Sequence, residues 1–192
     1  MTPSQHTPPH YSINTFTVYR LAPEHHLPAA YDDSWVAIKW VASHSGGDGQ
    51  EPWLKDHVDF QRVFFSGDSA GGNIAHNMGM RVGSEKLDGI SLVGLVLAHA
   101  FFWGEKPIGN ESSEPILPRN LTRVLVCVAE KDLLKDRGWY YKEVLVKSGW
   151  KGKVEIMEAK GEEHVFHLFN PTCENAVAKL KKLASFFNQD KA

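Results

Sequence analysis

The chain has only two cysteines, Cys127 and Cys173, in 192 residues. Neither sits in a C-x-x-C pair, so a disulfide framework and a structural zinc site are both excluded as organising elements. Both thiols are expected to be small buried hydrophobes. Charge of one sign is also lacking: 21 basic against 23 acidic residues leave a formal charge of -2, without the basic footprint of a nucleic-acid binder. No stretch approaches the ~18 apolar residues of a membrane span, and the start of the chain has no basic segment leading into an apolar one. No membrane partner and a cytoplasmic location are therefore expected. No internal repeat is visible, and the length is close to the ~150-residue prior for a single domain.

What is present is an alternation of strands and helices. Residues 1–12 are polar and Pro-rich and read as a disordered or atypical arm, ahead of one domain over 13–192. Thr15 to Tyr19 is β-branched and aromatic and reads as a strand. Tyr31, Trp35, Ile38 and Val41 recur at helical spacing after Pro28. Strands are then expected over Arg62 to Phe65, Leu92 to Ala98, Val124 to Val128 and Val154 to Met157. Helices are expected over Ala70 to Val82, Trp139 to Ser148, and from Pro171 onward with Ala176, Leu180, Leu183 and Phe187 on one face. Gly104 to Asn120 has no periodicity and reads as a long loop. Near-continuous apolar strands alternating with helices imply an α/β fold with a buried, mostly parallel sheet flanked by helices.

The sharpest local feature is Gly67-Asp68-Ser69-Ala70-Gly71, a G-x-S-x-G pattern between a predicted strand and a predicted helix. In that setting the serine stands on a tight turn, a nucleophile elbow, with glycines where backbone approaches backbone. A capping serine on a Gly-rich turn is the bland alternative. A serine hydroxyl needs an imidazole base that is itself held by a carboxylate, and in this architecture the order is serine, acid, histidine. Asp132 follows the Val124 to Val128 strand, with Asp136 as a competitor. His164 follows the Val154 to Met157 strand, with His167 as a competitor. Most of the other histidines are expected on the surface or in loops. Nothing in the pattern calls for a cofactor or a metal.

Four segments together resemble the plant carboxylesterases of the hormone-sensitive-lipase-like α/β-hydrolase group: Tyr19-Arg20-Leu21-Ala22-Pro23-Glu24-His25, Gly67 to Asn73, Ala129 to Asp132 with Asp136-Arg137-Gly138, and His164 to Pro171. The resemblance implies an α/β-hydrolase fold, Ser69 as nucleophile, Asp132 as the residue orienting the imidazole, and His164 as base. It leaves Asp136 and His167 outside the triad and makes Tyr19 to Glu24 a structural buttress of sheet and elbow. The Ala70 N–H would serve the oxyanion.

The departures set further expectations. The family's His-Gly-Gly-Gly segment and the strands around it are absent ahead of Tyr19, and the Gly104 to Asn120 region is shorter than the family's cap. His44-Ser45-Gly46-Gly47-Asp48-Gly49 follows a helix on the wrong side to replace that segment and reads as a surface loop. The chain therefore resembles a truncated or alternatively spliced member with weakened turnover, since each lost oxyanion donor costs about 10²–10³ in kcat. The first reading is a carboxylic ester hydrolase acting on a small-molecule ester. Its rivals are a catalytically dead isoform, a gibberellin-receptor-like binder and a lyase like 2-hydroxyisoflavanone dehydratase. An unpaired edge beside Thr15 to Tyr19 is expected to promote self-association.

Overall fold

In the computed structural model, residues 15–102 and 121–189 are described. They form a four-stranded sheet from β1 (Val63–Asp68), β2 (Leu92–Ala98), β3 (Arg123–Ala129) and β4 (Lys153–Ala159). All neighbouring pairs are parallel and the order is β1-β2-β3-β4. β2 and β3 are buried at every position, as their unbroken apolar runs require of central strands covered on both faces.

The two faces divide by the two-residue period of a strand. Leu95, Leu97, Val124 and Val126 pack with Ala75 of α3 (Ala70–Glu85) and with Tyr141 and Leu145 of α4 (Lys135–Lys147). Val96, Ala98, Leu125 and Cys127 face the other way, onto Phe186 of a C-terminal helix spanning Glu174–Asn188. The remaining helices are α1 (Ala29–Ala42), α2 (Pro52–His57) and α5 (Phe166–Phe169), so the C-terminal helix is α6. α1 lies against α3, with Trp35 buried beneath the Arg81 guanidinium and the Tyr31 hydroxyl donating to Asn73 at 2.6 Å.

The predicted strand over Thr15 to Tyr19 does not form. These residues are irregular, with Phe16 90% and Val18 94% exposed. Strand propensity is realised only against a neighbouring strand, and among the described residues β1 pairs with β2 alone. Among the described residues, the open edge on that side of the sheet therefore belongs to β1. Tyr19 to Glu24 does not buttress the sheet either: the segment is largely exposed, and Arg20 forks the Asp33 carboxylate of α1.

On α6 three of the four expected inward residues, Ala176, Leu183 and Phe187, do face the core, and Leu180 does not. Leu180 is 67% exposed, whereas Lys179 and Phe186 are buried, because Lys179 finds an anion beneath the helix. The helix begins at Glu174 rather than Pro171, and half-buried Cys173 caps it by accepting the Ala176 N–H. Cys127 is buried as expected. The arm over 1–12 and the loop over 104–120 lie outside the described residues. Among those described, no helix is long and apolar enough to cross a membrane.

Candidate active site

Ser69 stands at the C-terminal end of β1 with φ 55° and ψ -116°, a conformation that side-chain-bearing residues rarely adopt. The turn is held from both sides: the Ser69 N–H donates to Ala98 O and Ser69 O accepts from the Phe101 N–H, each at 2.9 Å. Gly67 is required because a Cβ there would come within 2.1 Å of Gly71 O. Gly71 departs from the expectation. A Cβ at that position meets nothing within 4 Å, and the second tight position is Gly72, where a Cβ would approach that of Ala100 to 2.8 Å. Although Ser69 occupies the N-cap of α3, its side chain makes no capping bond.

The Ser69 hydroxyl instead meets a histidine. His164 Nε2 lies 2.9 Å from Ser69 Oγ, and His164 Nδ1 lies 2.8 Å from Asp132 Oδ2. An ionised carboxylate can only accept, so Nδ1 carries the proton and Nε2 is left to accept from the serine hydroxyl. Asp132 is held in turn by its own turn, Oδ1 accepting the Leu134 N–H at 2.9 Å. Burial pushes its carboxyl upward, but the Leu134 N–H and the His164 and His99 rings outweigh this and leave it below the ordinary range. Asp132 is thus an anion with almost no access to water, while 37% of the His164 side chain remains exposed.

The competitors fall elsewhere. Asp136 is exposed in the first turn of α4. His167 faces Asp68 and Lys179: Lys179 Nζ lies 2.8 Å from His167 Nε2 and donates to Asp68 Oδ1 at 3.1 Å. Burial, and then the Lys179 cation, push the His167 imidazole down. Asp68, the variable residue of the elbow, thereby anchors β1 to α6. Ala70 is exposed at the first position of α3, where an N–H has no intrahelical acceptor. Beyond the loop read from His44 to Gly49, a cleft of about 430 Å³ is lined by Trp40, His44, Asp48 and Glu51 and touches none of Ser69, Asp132 and His164.

His44, read in a surface loop, is buried at 2% exposed, and His99 is buried at 1%. His44 is held by the end of α1, its Nδ1 lying 2.8 Å from Trp40 O. His99 belongs to the site: its Nδ1 lies 2.9 Å from Asp132 Oδ2, the same oxygen that serves His164. Its position directly after β2, at the carboxyl ends of parallel strands, was the signal available in the sequence. His99, Asp132 and His164 offer ligand atoms within 4.8 Å of one another. Both Nδ1 atoms are at hydrogen-bond distance from the carboxylate, however, so they spend their protons on it.

The chain is similar in sequence and fold to known proteins. A family model described as the alpha/beta hydrolase fold matches residues 15–119 and 104–168. The chain is 42% identical to "Probable carboxylesterase 7" of Arabidopsis thaliana, over 89% of this chain and 65% of that protein. It is 40% identical to the 2-hydroxyisoflavanone dehydratase of Glycyrrhiza echinata, over 88% of this chain and 63% of that one. It thus spans a little under two thirds of the length of these relatives. A solved esterase from the archaeon Pyrobaculum calidifontis superposes with a TM-score of 0.69 at 26% identity, over 88% of this chain and 63% of its own. The chain thus belongs to the α/β-hydrolase fold family, alongside plant carboxylesterases.

Proposed function

We propose that the chain is a serine hydrolase of carboxylic esters in which Ser69 is the nucleophile, His164 the general base and Asp132 the residue that orients it. The observation that supports this most strongly is the continuous relay from Ser69 Oγ through His164 to Asp132 at 2.9 and 2.8 Å. In the first step His164 Nε2 takes the Ser69 proton as Oγ attacks the ester carbonyl carbon. The proton then passes to the departing alcohol, leaving an acyl-serine. Water, deprotonated by the same nitrogen, releases the acid. Asp132 stays ionised throughout and stabilises the imidazolium that forms in each half-reaction. The Ala70 N–H is the oxyanion donor at the elbow. With that donor alone from the described residues, acylation by an activated ester is faster than turnover of an unactivated one.

The 40% identity to a dehydratase supports a second reading. The same base could remove a proton in an elimination, with Ser69 serving to bind rather than attack. Incubation with 4-nitrophenyl acetate and with a 2-hydroxyisoflavanone separates the two. Nitrophenol release with an acetyl adduct on Ser69 supports the esterase, and dehydration without an adduct supports the lyase. A small-molecule ester substrate, a cytoplasmic location and self-association at the open edge of β1 complete the proposal.

A further inference from the structure

Asp132 Oδ2 accepts from two imidazoles, and the mechanism uses only one of them. We propose that His99 is a positioning residue that donates its Nδ1–H to Asp132 and so clamps the carboxylate in the orientation that holds His164 against Ser69. The inference rests on reading Ser69, His164 and Asp132 as the working triad.

Several independent observations converge on His99. It adopts φ 48° directly after β2 while its backbone N–H donates to Cys127 O at 2.8 Å, so the strand ends in a turned residue locked to β3. The ring is wedged between the elements that carry the other groups. It lies edge-on to His164 at 5.5 Å, edge-on to Phe166 at 5.9 Å and stacked on His167 at 5.6 Å. Its Nε2 is enclosed and has no partner among the described residues. The pocket His99 shares with Cys127, Met157, Phe166 and Lys179 has no room for a water molecule.

A proton on Nε2 would therefore be stranded, whereas a proton on Nδ1 meets a carboxylate, so one tautomer is selected. Charging the ring is opposed as well: burial pushes His99 below the ordinary imidazole value, against the pull of Asp132, and the Lys179 cation acts in the same direction as burial. The groups facing it, namely Asp132, His164, His167, Lys179 and Cys127, thus leave a neutral donor aimed at Asp132. With Leu134 N–H on Oδ1 and His99 on Oδ2, the carboxylate is fixed at both oxygens before His164 binds it.

The test uses the whole chain labelled with 15N-histidine, together with His99→Phe, which keeps a ring but loses the donor, and His99→Asn, whose amide N–H replaces Nδ1–H. In the wild type His99 is expected as the Nδ1–H tautomer, with a sharp, exchange-protected His164 Nδ1–H resonance. In His99→Phe that resonance is lost to solvent exchange and Ser69 phosphonylation by a fluorophosphonate slows about tenfold. In His99→Asn both are retained. An Nε2–H tautomer in the wild type would overturn the proposal without any variant having to fold, and so would a His99→Phe protein with wild-type resonance and rate. If Ser69 of the wild type does not react, the esterase reading fails, while the tautomer and the His164 resonance still decide the role of His99.

Discussion

Asp132→Asn changes one atom of a side chain that is 2% exposed, where no water can replace a lost partner. The carboxylate accepts three N–H groups: His164 and His99 at Oδ2 and Leu134 at Oδ1. An amide has one acceptor oxygen, so one side must face a donor with a donor. If the amide NH₂ faces the rings, His164 must move its proton to Nε2 and can no longer accept from Ser69, the tautomer failure that costs about 10⁴-fold in other triads. His99 would then strand a proton on its enclosed Nε2. If the oxygen faces the rings, both tautomers survive and the Leu134 N–H loses its acceptor, at about 1–3 kcal/mol. The imidazolium then forms beside a neutral group, and the lost attraction of about 4 kcal/mol at partial screening is roughly a 10³-fold slowing.

Both orientations thus predict acylation slowed by about 10³–10⁴-fold, read as the rate of fluorophosphonate adduct formation by intact mass, with Tm lower by about 4–8 °C at pH 7 for ~2 kcal/mol lost. Because the folded carboxyl lies below its ordinary 3.8, its stabilisation is present above that value and is lost as pH falls through the folded value. The Tm gap should therefore narrow below about pH 4. A variant that acylates within tenfold of wild type would refute the reasoning.

The two elbow glycines should separate cleanly. Gly67→Ala drives a methyl into backbone and should lower Tm by several degrees and abolish labelling, whereas Gly71→Ala enters open space in a helix and should gain up to ~1 kcal/mol, as thermal melts would show. His76 is flanked by Phe102 and Tyr141, and its Nε2 is enclosed without a partner among the described residues, so desolvation pushes its imidazole down to about 4. The unfolded chain binds that proton first, so stability falls between about pH 6.5 and 4, by up to ~3 kcal/mol; His76→Leu should flatten that stretch of the denaturation profile, and an unchanged slope would place the pH dependence elsewhere. Phe186→Ala removes a fully buried ring from the α6 face and should cost about 3–5 kcal/mol, while Leu180→Ala should change urea stability by less than ~1 kcal/mol.

The sheet was legible because a central parallel strand must be apolar on both faces, and Leu92 to Ala98 and Val124 to Val128 are. Ser69, Asp132 and His164 could be singled out because each follows the carboxyl end of a strand, and a parallel sheet brings those ends together. Thr15 to Tyr19 misled because β-branched residues signal a strand without saying whether a partner exists. On α6 the spacing placed Ala176, Leu183 and Phe187 correctly, but it also assigned Leu180 inward, and no pattern announces that Lys179 is buried against Asp68, which lies 111 positions earlier in the chain. His99 was missed because a histidine after a strand looks like a loop residue until the fold brings it to Asp132.

The central claim is that Ser69 is the residue that reacts, and peptide mapping after a fluorophosphonate probe tests it directly. The expected result is one adduct per chain, on the peptide carrying Gly67-Asp68-Ser69-Ala70-Gly71, with none in Ser69→Ala protein that melts like wild type. An adduct on any other residue, or one that persists in folded Ser69→Ala, would contradict it.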